Sequence, residues 1–261
     1  MLSMRRFFVH TCGDTSVSPS FSILNTQFSI CGAEHNHLAN VVRCKIGERV
    51  TVCCGDEYDY ICEITKITKN SSALQLIERQ TNRANPKAAL TVFLAVIKHD
   101  NLGLVVQKLN ELGAMELVLF NADRCNVNTK SLNLAKLNTI AEQSCKQCER
   151  SKPLKVSFTE KLDFANFDKV IFADEHYDKI PPSIKGVTRE ASRGFFSEIE
   201  IHKSEKVALV IGPEGGFTDE ERNTLCAMPN VLPISLGARI LRAETAAIAT
   251  AAICMAKLGE I

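Results

Sequence analysis

The chain has 261 residues, 45% of them hydrophobic and 23% charged, with a formal net charge of +1. That length suits one large domain or two smaller ones, and the ordinary composition excludes long disordered or low-complexity structure. No apolar run approaches the ~18–20 residues of a membrane span, and near-neutral bulk charge does not in itself advertise a nucleic-acid partner.

Met1 to His10 carries Arg5 and Arg6 but no apolar stretch after them, so no secretory signal is read and a cytoplasmic location is expected. The 11 cysteines, odd in number and scattered, are then reduced thiols. Short β-type patterns occupy Arg5–Val9, Gln27–Cys31, Arg49–Cys53, Tyr58–Ile67 and Ala73–Ile77, with one helical segment, Glu34–Arg43, among them. Short strands with close turns predict a small β-barrel over residues 1–80. Cys53-Cys54 and His35-x-His37 lack the further ligands that a metal site needs, so ordinary thiols and histidines are the favoured reading. The polar, proline-bearing stretch Arg79–Ala88 reads as a linker, with its core at about 81–88.

From residue 89 the rhythm changes. Leu90–Ile97 reads as a buried strand, followed by a helix with Asp100 as its N-cap and Gly113 as its stop. A strand "MELVLF" and a long helix from Leu132 to about Arg150 come next. That helix holds Cys145-x-x-Cys148, read as two ordinary thiols because no second such pair completes a zinc cage; no metal is expected. Between Arg124 and Lys161 eight Lys/Arg stand against three acids, a local +5 that is either a phosphate-backbone platform or a solvated face. "DKVIFADE", "VALVIG" and "VLPISLG" are further strands, and the alanine-rich "RAETAAIATAAICMAKLG" is the last helix. Strands apolar on both faces alternating with helices predict an α/β domain with a parallel sheet over 89–261. The helix's small residues suit either tight packing on the sheet or a helix–helix dimer contact.

Two glycine-bearing turns carry the chemistry. "LVIGPEGGFTDEE", Leu209–Glu221, lacks the lysine of a phosphate loop and the spacing of a dinucleotide fingerprint. Thr218 and Glu221 have capping-box spacing, which fills the free amides at the following helix start, and Asp219, Glu220 and Glu221 repel a phosphate dianion. Gly212, Gly215 and Gly216 let the backbone approach a ligand and take positive φ. The turn therefore suits a neutral or cationic ligand read by main-chain groups, and S-adenosylmethionine meets that description. A second strand-end glycine follows in "SLGARILRAETAAIA", Ser235–Ala249, so the two turns can wall one cleft at the carboxyl edge of the sheet.

Both motifs, in order, resemble those of the RsmE-type uridine-N3 methyltransferases of 16S ribosomal RNA, members of the SPOUT methyltransferases. "RRFFV", "HLANVVRCKIGERVTV", "QKLNELG", "LFNADRC" and "QCER" followed by Pro153 extend the likeness over nearly the whole chain. The resemblance implies a PUA-like β-barrel, an α/β domain with a C-terminal trefoil knot, a homodimer, and S-adenosylmethionine held by the backbone of the two turns. Carried over, the cofactor residues are Ile211, Gly212 and Gly216, then Ser235, Leu236, Gly237, Ile240 and Leu241. Glu214 either faces the donor's amine or braces its loop. Two departures stand out: "KHDN", Lys98–Asn101, replaces an arginine-containing stretch, and Lys146 stands where glutamate is common.

Methylation at N3 requires stabilisation of negative charge on the uracil, which assigns Arg242 as first choice, with Glu244 as proton acceptor or as the group orienting Arg242. The alternative for Arg242 is a local salt bridge, and for Glu244 a helix-start carboxylate. N3 lies on the pairing edge, so the base must be unstacked and the RNA single-stranded or looped at the target. Arg5, Arg6, Arg43, Arg124 and Arg150 are the expected phosphate contacts. The rivals are a SPOUT enzyme acting on a ribose 2′-OH or on transfer RNA, and a non-catalytic RNA-binding assembly protein.

Overall fold

The computed structural model describes residues 4–9, 26–127, 129, 132–174 and 199–261. Two compact units emerge, one of Met1–Asn85 with Cys145–Pro153, the other of Pro86–Ser144 with Leu154–Ile261.

In the first unit β1 (Arg6–Phe8), β2 (Gln27–Cys31), β3 (Arg49–Cys53), β4 (Tyr58–Ile67) and β5 (Ser71–Thr81) form one sheet in the order β1-β3-β4-β5-β2. Period-two alternation drives it: Phe28 and Ile30 of β2 are buried while Gln27 and Ser29 are exposed. With Phe7, Leu38, Val52, Tyr60 and Leu74 they build the core. β1 pairs parallel to β3 and the other pairs are antiparallel. Among the described residues β1 and β2 are edges without a bond to each other, so the expected barrel is a half-barrel. The expected helix Glu34–Arg43 is instead α1 (Gly32–Asn36) running into a π-helical turn, His37–Val41.

A buried polar network ties this unit together. Arg6 forks onto Asp59 at 2.7 and 2.9 Å. Asn82 Nδ2 donates to Asp59 Oδ1 and to the Glu149 carbonyl, both at 2.8 Å. Burial works against the Arg6 charge, but Asp59, with a smaller contribution from Cys53, leaves the guanidinium above its ordinary pKa.

The second unit holds β6 (Ala89–Ala95), α2 (His99–Leu112), β7 (Glu116–Phe120), α3 (from Leu134, ending at Cys148), β8 (Lys155–Thr159), β9 (Lys169–Ala173), β10 (Lys206–Ile211), α4 (Asp219–Cys226), β11 (Val231–Ile234) and α5 (Ala243–Leu258). Six parallel strands run in the order β11-β9-β10-β6-β7-β8. Val207–Ile211 are all buried, which is why β10 reads as a continuous apolar run. β8 escaped sequence reading because an edge strand with one buried residue, Val156, carries little pattern.

The α2 cap is Lys98, not Asp100, which sits in the first turn where its charge suits the helix dipole. Gly113 does end α2, at φ 95°, and a Cβ there would come 2.8 Å from Met255 Cε. Ala246, Ala247 and Ala251 lie in the core where α5 meets α2, β6 and β10, so small residues let the helix approach closely inside this unit. Among the described residues no helix is long and apolar enough to cross a membrane.

Candidate active site

Because the sheet is parallel, β9, β10 and β11 end at one edge, with β9 between the other two. The turns after β10 and β11 enclose a cleft of about 250 Å³ across the end of β9. Ile211, Gly212, Pro213 and Glu214 form one wall, Ser235 to Arg242 the other, with Ala173 and Asp174 at the strand end and Ala243 and Ala246 from α5.

The first turn is built by its own contents. Gly216 has φ 68°, and its N–H donates to the Pro213 carbonyl at 3.0 Å. Gly212 and Gly215 do not take left-handed φ, contrary to expectation. Gly212 is needed for space instead, since a Cβ would lie 2.7 Å from Cε2 of Phe217. That ring is 1% exposed and packs edge-on against Phe172 and stacked beside Phe120. The capping box forms as read: Glu221 N–H donates to Thr218 Oγ1 at 3.2 Å, and Thr218 N–H to Glu221 Oε2 at 2.8 Å. Glu214 Oε1 accepts from the Lys98 N–H at 3.4 Å, a bracing contact.

Asp174 and Arg222 were missed by sequence reading. Asp174 lines the cleft with its side chain fully buried, in an ion pair with Arg222 Nε. Arg222 also bonds Asp219 at 2.6 Å and the Phe217 carbonyl at 3.3 Å. Hydrogen bonding to Asp174 raises the guanidinium's pKa. A lone acid after an apolar strand has no motif; only the sheet order brings it between the two turns.

Of the expected cofactor residues, Ile211, Gly212, Glu214, Ser235, Leu236, Gly237, Ile240 and Leu241 line the cleft. Gly216 is buried, lies outside the lining and shapes the turn through its positive φ. Arg242 lines the cleft as the extended N-cap residue of α5, its side chain 83% exposed, with Glu244 Oε1 at a loose 3.9 Å. Glu244 lies outside the lining, largely buried, and its Oε2 finds no hydrogen-bond partner among the described residues.

The expected phosphate contacts separate. Arg5 is exposed, 3.7 Å from Glu48, and Arg43 is exposed at a left-handed φ of 59°. Arg6 is committed to Asp59, and Arg150 is 2% exposed, its pKa lowered by burial, so neither presents its charge outward. Arg124 is exposed, yet its Nη1 donates to the Gly215 and Phe217 carbonyls, each at 3.3 Å. The basic stretch is not one open face either. Lys146 pairs with Glu34 and Lys155 with Glu116, while Lys130 lies outside the described residues.

Other candidates have structural places. His35 sits 2.9 Å from Ser72 Oγ and 3.2 Å from the Lys69 carbonyl, and His37 packs on Phe7. Burial pushes the Cys53 thiol up to about 11 and the Cys54 thiol to about 12, away from the thiolate chemistry of a redox pair.

A parallel α/β unit with two glycine turns at its carboxyl edge, joined to a small half-barrel, has the architecture of a SPOUT-type RNA-modifying transferase. The family described as an RNA methyltransferase domain matches residues 83–255, and that described as an RNA methyltransferase PUA domain matches 30–77. The chain belongs to the RNA methyltransferase family, in its ribosomal RNA small subunit methyltransferase E branch. Proteins of that name from Rickettsia conorii and Bacillus subtilis are 29% and 30% identical to it, over 86% and 84% of this chain and 87% and 86% of theirs. The crystal structure of ribosomal RNA small subunit methyltransferase E from Neisseria gonorrhoeae bound to S-adenosyl methionine superposes with a TM-score of 0.75 at 21% identity, covering 97% of this chain and 98% of that one.

Proposed function

We propose that this protein methylates N3 of a uridine in small-subunit ribosomal RNA, with S-adenosylmethionine as methyl donor. The observation that carries the reading is the cleft between the turns after β10 and β11. Its residues fit such a donor. The walls combine peptide groups and aliphatic side chains with Ser235, Arg239 and Arg242, the Asp174 charge is neutralised by Arg222, and Glu214 offers an exposed carboxylate. The bound donor supplies an electrophilic methyl group. Peptide N–H and C=O groups of Ile211, Gly212, Leu236 and Gly237 are suited to an adenine and ribose, while Leu236, Ile240 and Leu241 supply apolar cover.

Arg242 is the group proposed to stabilise charge on the uracil carbonyls. Its guanidinium stands free in solvent at the cleft, and its loose pair with Glu244 leaves donors for a substrate. Glu244 keeps that guanidinium in place or receives the N3 proton. Arg5 and Arg43 on the first unit are proposed RNA contacts. A trefoil knot and a homodimer, both implied by the family resemblance, and a cytoplasmic location complete the reading.

Incubation of the protein with the donor and small subunits lacking the modification tests the reading. Nucleoside mass spectrometry is expected to show 3-methyluridine; a 2′-O-methylated nucleoside instead would shift the target to the ribose. Arg242→Ala is expected to lower turnover roughly 10²–10³-fold with donor affinity kept, the scale of losing one charge-stabilising donor. Unchanged turnover would remove Arg242 from the reaction.

A further inference from the structure

We propose that Arg124 is a positioning residue for the glycine turn of the donor cleft rather than a contact to the RNA backbone. This inference rests on the reading of the cleft as a methyl-donor site. Arg124 follows β7, yet its guanidinium Nη1 donates to two carbonyls of the turn after β10, those of Gly215 and Phe217, at 3.3 Å each. The Phe217 carbonyl also accepts from Arg222 Nη2 at 3.3 Å, and Arg222 is itself anchored on Asp174 at the cleft. One peptide oxygen is thus held by guanidinium groups from two separate segments, Arg124 after β7 and Arg222 in α4.

The neighbouring residue continues the join. Asp123 N–H donates to Glu221 Oε1 at 2.8 Å, and Asp123 Oδ2 accepts from Thr218 Oγ1 at 3.4 Å. The two turns also meet closely: a Cβ on Gly215 would come 3.0 Å from Arg124 Cβ and 3.1 Å from the Arg124 carbonyl. Asp123 and Arg124 therefore grip the stretch from Gly215 to Glu221.

Such a grip has a purpose where recognition is by main chain. Peptide groups select a ligand only if their directions are fixed before it arrives, because ordering a loop on binding costs affinity. This turn holds two consecutive glycines, Gly215 and Gly216, the residue type with the most backbone freedom to lose. Arg124 supplies that order from outside the turn, with a charge-assisted bond to each of two carbonyls.

Calorimetry with S-adenosylmethionine, beside filter binding of small-subunit ribosomal RNA at several salt concentrations, separates the two roles. Arg124→Ala is expected to weaken donor affinity about tenfold, as loss of bonds to a charged group implies. The donor KM rises with it, kcat changes little, and RNA affinity and its salt slope stay at wild-type values. Arg124→Lys keeps the charge without the fixed fork and is expected to recover donor binding only in part. Gly215→Ala leaves the guanidinium intact but presses on the same contact, and is also expected to weaken donor binding. Unchanged donor affinity in folded Arg124→Ala, with weaker RNA binding and a salt slope smaller by about one, would make Arg124 a phosphate contact and overturn the proposal. Full rescue of every property by lysine would do the same. A wild-type protein giving no heat with the donor would overturn the donor reading itself, a result distinct from either.

Discussion

Gly212 owes its identity to a ring five positions further on. Phe217 folds back beneath the turn, so that any side chain at 212 would meet it 2.7 Å away. The ring cannot retreat cheaply, because Phe120 and Phe172 pack around it in a buried cluster. Gly212→Ala is therefore expected to destabilise the second unit by about 1–3 kcal/mol, the cost of overpacking a filled core. Thermal melts would register it, and donor affinity is expected to fall as the turn shifts. A melting temperature equal to wild type would show that the ring yields. In the sequence this glycine was legible as a place of close backbone approach, but the reason was not. The partner ring is brought near only once the turn has closed, and Asp174 was invisible for the same reason, since its counter-ion Arg222 comes from α4.

At the level of elements, α4 begins with a device that local sequence does spell out. Thr218 and Glu221 exchange hydrogen bonds across the first turn, each satisfying an amide that the helix leaves open. Thr218→Ala is expected to cost ~1 kcal/mol and Thr218→Ser almost nothing, as chemical denaturation would measure. Equal losses in the two variants would mean that the hydroxyl does not act as the cap. α4 was readable because its signal lies within four residues, as was the stop of α2 at Gly113. The start of α2 at Lys98 was not, because Asp100 offers the better capping side chain and lies only two residues on. The β8 edge strand, half exposed, likewise leaves too faint an alternation to separate from a loop.

Across the whole chain, the change from short alternating strands to long apolar ones marked two kinds of architecture. What no local pattern reports is that Cys145–Pro153 returns to the first unit. Asn82 donates to the Glu149 carbonyl and Asn85 to Ser151 Oγ, partners far apart along the chain. Asp59 stands at the centre of that network, accepting from both Arg6 and Asn82 in a site where its side chain is 6% exposed. Asp59→Ala is expected to destabilise the first unit by about 3–5 kcal/mol, because it strands a buried guanidinium without its counter-charge. Hydrogen exchange would show protection lost in β3, β4 and β5; protection at wild-type level would mean that water reaches Arg6 readily. Replacing Arg6 and Asp59 together by apolar residues of similar volume is expected to be milder than the single change.

The peptide-built walls beside β9 also bear on pharmacology. Every residue but proline offers the same amide and carbonyl whatever its side chain, so an inhibitor anchored on those of Gly212, Leu236 and Gly237 leaves few single substitutions that would remove its contacts. Among those positions Gly212 is the most constrained, because a side chain there would meet Phe217 as well as shift the turn, so escape from the inhibitor and damage to the fold coincide.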